Sequence, residues 1–191
     1  MARWEPDPRG RLLRAALDLF GEQGFEATTT VQLAERAGLT KATVFRLFAD
    51  KREILFQGQA ASVRTATEAV RTAPDGASAL DAVRAALRQL SDEHVPEQQE
   101  IGRRIDRLIA ASPELTERAA AKRAAIAAAL QDALIARGEQ VGLAGMIADI
   151  GVRAYHDAFA TWTTAGDGAE LTPLVLGRLD ELLAALRPAL A

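Results

Sequence analysis

Residues 30–49 constrain this chain more than any other segment. They read Thr-Val-Gln-Leu-Ala-Glu-Arg-Ala-Gly-Leu-Thr-Lys-Ala-Thr-Val-Phe-Arg-Leu-Phe-Ala. Two short helices that cross steeply need a small residue where they touch and a sharp turn between them. Ala34 meets the first need. Gly38, four positions on, meets the second, because glycine tolerates positive φ. Leu33, Ala37 and Leu39 place apolar groups before the second helix, and Val44 with Leu47 or Phe48 places them within it. Polar side chains at Gln32, Glu35, Arg36, Lys41, Thr43 and Arg46 fall between.

That pattern is a helix-turn-helix. An Ala-x-x-x-Gly spacing alone also fits an ordinary helical hairpin in a core. The caps and charges around it favour a nucleic-acid reader. Thr29-Thr30-Val31-Gln32 has the spacing of a capping box. Thr40 can cap the second helix. Lys41, Arg46, Lys51 and Arg52 lie close together, with only Asp50 of opposite sign between them. The whole chain carries a net charge of −3, but residues 1–57 hold 9 Lys/Arg against 8 Asp/Glu. Phosphate contact depends on such local charge.

The remainder reads as helix, with no alternating strand pattern of useful length. Asp7-Pro8 opens a helix whose stripe is Leu12, Leu13, Ala16, Leu17, Leu19 and Phe20, ended by Gly21 and Gly24. A helix is expected from about Asp50 to Thr72, joining two domains as a rigid lever. Further helices are expected over residues 77–93, after Pro96, from Pro113 to Arg137, over 141–164, and over 171–190 behind a Thr172-Pro173 cap. The expectation is an all-α fold of about nine helices, with domains at 1–56 and 57–191.

Composition narrows the function. The sequence has no cysteine and two histidines, His94 and His156, far apart. No disulfide, thiolate nucleophile or metal site is therefore expected, and no cofactor. There is no G-x-S-x-G, no phosphate loop and no nucleophile beside a base, so no enzyme is expected. The N-terminus lacks the apolar core of a signal peptide, and the longest apolar run, residues 124–130, is too short for a membrane span. A cytoplasmic protein without membrane contact is expected.

The segments at 12–20, 24–29, 33–45, Phe48 and 51–55 together resemble the DNA-binding domain of TetR-type transcriptional regulators, over about residues 9–56. The resemblance implies double-stranded operator DNA as partner. Thr29, Thr30, Thr40 and Thr43 would meet phosphates with hydroxyls and helix-start N–H groups. Lys41, Ala42 and Arg46 would face the major groove. Lys51 matches the family's phosphate-binding lysine. Two positions depart from the pattern. Phe45 stands where the family usually has a tyrosine whose hydroxyl contacts DNA, and could touch a thymine methyl instead. Leu47 stands where histidine is common, and offers only apolar contact. Arg3 and Arg9 could act as an arm, although a plain tail is the ordinary reading.

The C-terminal part resembles the family only in helix number and length. The apolar faces of 141–164 and 171–190 suggest a homodimer built as a four-helix bundle, unless they simply face their own core. Such a dimer sets its recognition helices one DNA turn apart, as a palindromic operator requires. By resemblance alone, a pocket for an unknown small molecule is expected between the helices of 77–164, with Arg104, Ile105, Leu108, Tyr155, Phe159 and Trp162 as candidates. His156 reads more readily as a core or surface histidine. The expected function is a ligand-responsive repressor. An activator, or a regulator answering to a protein partner, would look the same in sequence.

Overall fold

The computed structural model describes residues 7–92, 94–95, 98–166 and 168–186. Among these residues the chain is all-α, with nine helices, one 3₁₀ turn and no strand. The expected all-α class and helix number hold. Arg3, Pro96 and Leu190 lie outside the described residues.

Helix α1, Pro8–Gln23, starts where predicted. The Asp7 side chain accepts a hydrogen bond from Gly10 N at 2.8 Å. It runs through Gly21 and stops at Gly24, whose φ is 86°. Helix α2, Thr30–Arg36, and α3, Lys41–Leu47, form the helix-turn-helix. Between them Gly38 takes φ 64°, and Leu39 N donates to Ala34 O at 2.8 Å. Ala34 is buried at that crossing, so the small-residue requirement is real.

The long helix expected from Asp50 is the main correction. The chain instead makes a single 3₁₀ turn at Arg52–Ile54, turns again, and begins α4 only at Gln59–Arg71. Two features explain the break. Asp50 Oδ1 accepts from both Arg52 N and Glu53 N, which closes a tight turn rather than a continuing helix. Ile54, Leu55 and Phe56 are then all buried, and three consecutive residues cannot share one helical face.

Helices α5 (Ala79–Asp92), α6 (Gln98–Ala111), α7 (Pro113–Ala136), α8 (Val141–Thr164) and α9 (Leu171–Leu186) follow. Gly138, at φ 95°, lies just past α7. Thr172-Pro173 lies inside the first turn of α9 rather than ahead of it. No helix among the described residues is long and apolar enough to cross a membrane.

The chain divides into two compact units. One comprises residues up to Gln57 together with Arg104–Ala119. The other comprises Gly58–Arg103 and Ala120–Ala191. The first unit thus also takes in the end of α6 and the start of α7. Leu115 is fully buried in its core with Leu12, Leu33 and Ile54. Charged contacts secure the same segment: Arg118 grips Glu53 with two bonds of 2.6 and 2.9 Å, and Arg104 reaches Asp18 at 2.7 Å. In the second unit α5, α8 and α9 enclose Val83, Leu87, Ala144, Ala148, Trp162, Val175 and Leu179.

Candidate nucleic-acid interface

Helix α2 begins with a complete capping box. Thr29 Oγ1 accepts from Gln32 N at 3.2 Å, and Gln32 Oε1 accepts from Thr29 N at 2.8 Å. The start of a helix, with its dipole, is of the kind that suits an anion. Thr30 is half-buried at that start. Helix α3 has a single side-chain cap: Thr40 Oγ1 accepts from Thr43 N at 3.1 Å, and the two hydroxyls lie 2.9 Å apart.

One side of α3 is core and the other is open. Val44 is buried, and Phe48 just past the helix end is buried with it. Lys41, Ala42, Phe45 and Arg46 are exposed together, with Phe45 at 53%. The Lys41 ammonium lies 5.7 Å from the Phe45 ring centroid. Arg46 has no ion pair among the described residues. Leu47 is half-buried against the unit's core, so it is less available than Phe45 to touch a base.

The other cations nearby are committed. Arg36 forms a two-pronged pair with Glu22 at 3.0 and 2.9 Å, and its hydrogen bonds hold the Glu22 carboxyl below the usual carboxylate range. Arg52 binds Asp50 and likewise lowers its pKa. Arg9 belongs to α1 rather than to an arm. It donates to Leu47 O at 3.1 Å and covers the Phe48 ring at 4.7 Å, closing the far end of α3. Lys51 Nζ turns inward to Phe25 O at 2.7 Å and Thr28 O at 3.1 Å. Sequence reasoning did not foresee Gln23, whose amide donates to Thr28 Oγ1 and Gln32 Oε1, both at 3.2 Å. Nothing local marks a glutamine nine residues from its partner.

The six candidate pocket residues separate into two groups. Arg104 is paired with Asp18, and Ile105 and Leu108 pack on the reading head's core. Tyr155, Phe159 and Trp162 gather in the second unit around His94. Its ring sits edge-on to them, with centroids 6.2, 5.5 and 5.8 Å away. Buried Gln99 donates to Trp162 O at 3.2 Å, and Arg103 to Thr163 O at 2.8 Å, so side chains of α6 close the end of α8. A Cβ on Gly102 would meet Thr163 Cγ2 at 2.8 Å, which shows how closely the two helices approach. His156 is a largely buried ring whose Nε2 has no hydrogen-bond partner. Burial, with repulsion from Lys122 and Arg123, lowers its pKa to about 4. Two open crevices mark the second unit's surface. One, of about 350 Å³, lies at Gly76, Leu134 and Arg137. The other, of about 460 Å³, lies along α8 and α9 at Asp157, Thr161, Leu174, Gly177 and Arg178.

Among the described residues no group of three or more His, Cys, Asp or Glu is placed to hold a metal.

A capped helix pair with an exposed, cation-bearing second helix is the form of a helix-turn-helix DNA reader. Residues 12–57 match the family described as bacterial regulatory proteins, tetR family, so this segment is similar to that family's DNA-binding domain. Among curated proteins it is similar to the HTH-type transcriptional regulator TcmR of Streptomyces glaucescens. The two are 38% identical over 80 residues, 42% of this chain and 35% of that protein. The chain thus spans about a third of that relative's length. Solved structures of the same fold cover nearly the whole chain. One is a transcriptional regulator from Aquifex aeolicus VF5, with TM-score 0.58, 14% identity, and 94% and 99% of the two chains covered. Another is FadR, a TetR family transcriptional repressor from Thermus thermophilus in complex with lauroyl-CoA. Its TM-score is 0.57 at 22% identity, with 92% and 93% covered.

Proposed function

We propose that this protein is a DNA-binding transcriptional regulator that grips a palindromic operator as a homodimer and releases it on binding a small molecule. The observation that carries the reading is the open face of α3, where Lys41, Ala42, Phe45 and Arg46 stand exposed while Val44 anchors the helix from behind. Such a face fits the major groove, with Thr29, Thr30, Thr40 and Thr43 beside it for phosphates.

The second copy is expected on α8 and α9. Val141, Leu143 and Met146 at the start of α8, and Leu186 at the end of α9, are exposed apolar groups, and the 460 Å³ crevice lies along the same two helices. Within the second unit, a ligand is proposed to enter by parting the packed rings of Tyr155, Phe159 and Trp162 around His94, Trp162 being fully buried there. Acyl-CoA thioesters are the first class to test, since the fold is shared with the lauroyl-CoA complex of Thermus thermophilus FadR. Repression by occupying a promoter is the simplest output, and the cytoplasm is where such a protein works.

The test is selection of duplexes from random DNA on the purified chain, then titration of the selected duplex with and without acyl-CoA. A two-fold symmetric site and weaker binding with ligand are expected. Failure to enrich any sequence refutes the DNA-reading function. Equal affinities across acyl-chain lengths refute this ligand class.

A further inference from the structure

We propose that Phe45 reads the 5-methyl group of a pyrimidine without telling thymine from 5-methylcytosine, so that cytosine methylation of the DNA tunes this protein's binding; this rests on the DNA-reading function above. The first unit keeps its other phenylalanines inside: Phe20, Phe25, Phe48 and Phe56 are all buried. Phe45 alone among them is open, at 53%, beside exposed Ala42 and Arg46 on α3, while Val44 next to it is buried. The ring has no hydroxyl to donate or accept, so on that face it offers apolar surface only.

The major groove presents one apolar group, the methyl on C5 of thymine. 5-Methylcytosine carries the same methyl at the same ring position. The two bases differ at C4, where thymine has a carbonyl acceptor and cytosine an amino donor. A side chain with a hydrogen-bonding group can sort them by that difference. A phenyl ring cannot, because it responds to the methyl and to nothing polar on the base edge. Uracil and unmodified cytosine both lack the methyl, and to Phe45 they are the same loss. Lys41 defines the neighbouring base. Its ammonium lies 5.7 Å from the Phe45 ring centroid, within two base-pair steps of about 3.4 Å each. A lysine pairs best with guanine, through O6 and N7. The two side chains therefore fit a methyl-bearing pyrimidine with a guanine one or two steps away.

The experiment uses the full-length chain and the duplex it selects from random DNA. Uracil replaces each thymine in turn, which locates the contacted pair. At that pair, cytosine opposite guanine is then placed with and without its 5-methyl. In wild type the methyl should raise affinity about fourfold in both comparisons, thymine over uracil and 5-methylcytosine over cytosine, the worth of one buried methyl. Phe45→Ala, a change at an exposed position, should melt like the wild type and bring both ratios close to one. Methylation can also act through DNA shape, and an effect of that origin would persist in Phe45→Ala. Lys41→Ala should keep both ratios and relax the choice of guanine nearby; an unrelaxed choice overturns the guanine assignment. Equal wild-type affinity for cytosine and 5-methylcytosine overturns the proposal while DNA reading stands. So does a methyl preference that survives in Phe45→Ala, or a scan in which no uracil weakens binding. A wild-type chain that selects no duplex overturns the DNA-reading function and this role with it.

Discussion

At the scale of single residues, Phe45 is the large apolar group on the exposed side of α3, the face proposed to read DNA. An exposed ring without a hydroxyl finds only one apolar partner in the major groove, the 5-methyl of a pyrimidine. Replacing the contacted thymine by uracil in the selected duplex should weaken wild-type binding and leave Phe45→Ala unaffected. Equal sensitivity in both proteins would remove Phe45 from base reading. Arg46, exposed on α3, is the proposed base-edge contact. Arg46→Ala should cost about 1–3 kcal/mol of binding and relax base choice, measured by gel-shift titration against single-base variants. His156 makes a prediction about pH. Its folded-state pKa, about 4, lies below the ordinary imidazole value of 6.5. Between those values the unfolded chain takes up a proton that the folded chain refuses. Stability is therefore unaffected above pH 6.5, falls as pH drops through the window, and levels off near pH 4 after a loss of up to about 3 kcal/mol. Melting of wild type and His156→Leu at pH 7.5 and 5 should show the larger drop in wild type.

At the scale of elements, the reading pair was legible and its supports were not. Ala34, Gly38 and the threonine caps announce α2 and α3 through strictly local rules, and each occupies its predicted place. The stretch after Asp50 misleads because Asp-x-x-Glu spacing signals both a helix cap and a tight turn. Only the burial of Ile54, Leu55 and Phe56, a tertiary fact, decides between them. The carbonyl partners of Lys51 were illegible for a related reason: they lie 23 to 26 positions earlier, where sequence marks no acceptor. In the second unit, α6 and α8 touch through Gly102 with no spare room. Gly102→Ala should lower stability by about 1–3 kcal/mol despite its better helix propensity, since overpacking outweighs that gain. An unchanged denaturation midpoint would show that the contact yields.

At the scale of the molecule, the expectation is a dimer. Light scattering should give a mass twice that of the chain. Gly177→Arg is the sharper probe. A Cβ at Gly177 meets nothing within 4 Å in the single chain, so the first atom of a side chain finds open space, and an arginine there is expected to block the α8–α9 crevice, which Gly177 lines. A monomer that melts like the wild type is expected. A persistent dimer would move the interface elsewhere. Class, helix number and the reading head could be read from sequence because they follow periodicity and caps. The candidate pocket could not be: Arg104, Ile105 and Leu108 have the same helical spacing whether they line a cavity or plug a core, and here Ile105 and Leu108 pack on the first unit's core while Arg104 pairs with Asp18.

That membership of residues 104–119 has a consequence for how such proteins can be recombined. The reading head is not a detachable bead on the N-terminus. A fragment ending at Gln57 would lack Leu115 and Ala119 from its interior and the arginines that clasp Asp18 and Glu53. A single crossover between two relatives therefore leaves a head with half of its clasp foreign. A chimera that works must inherit both stretches from the same parent.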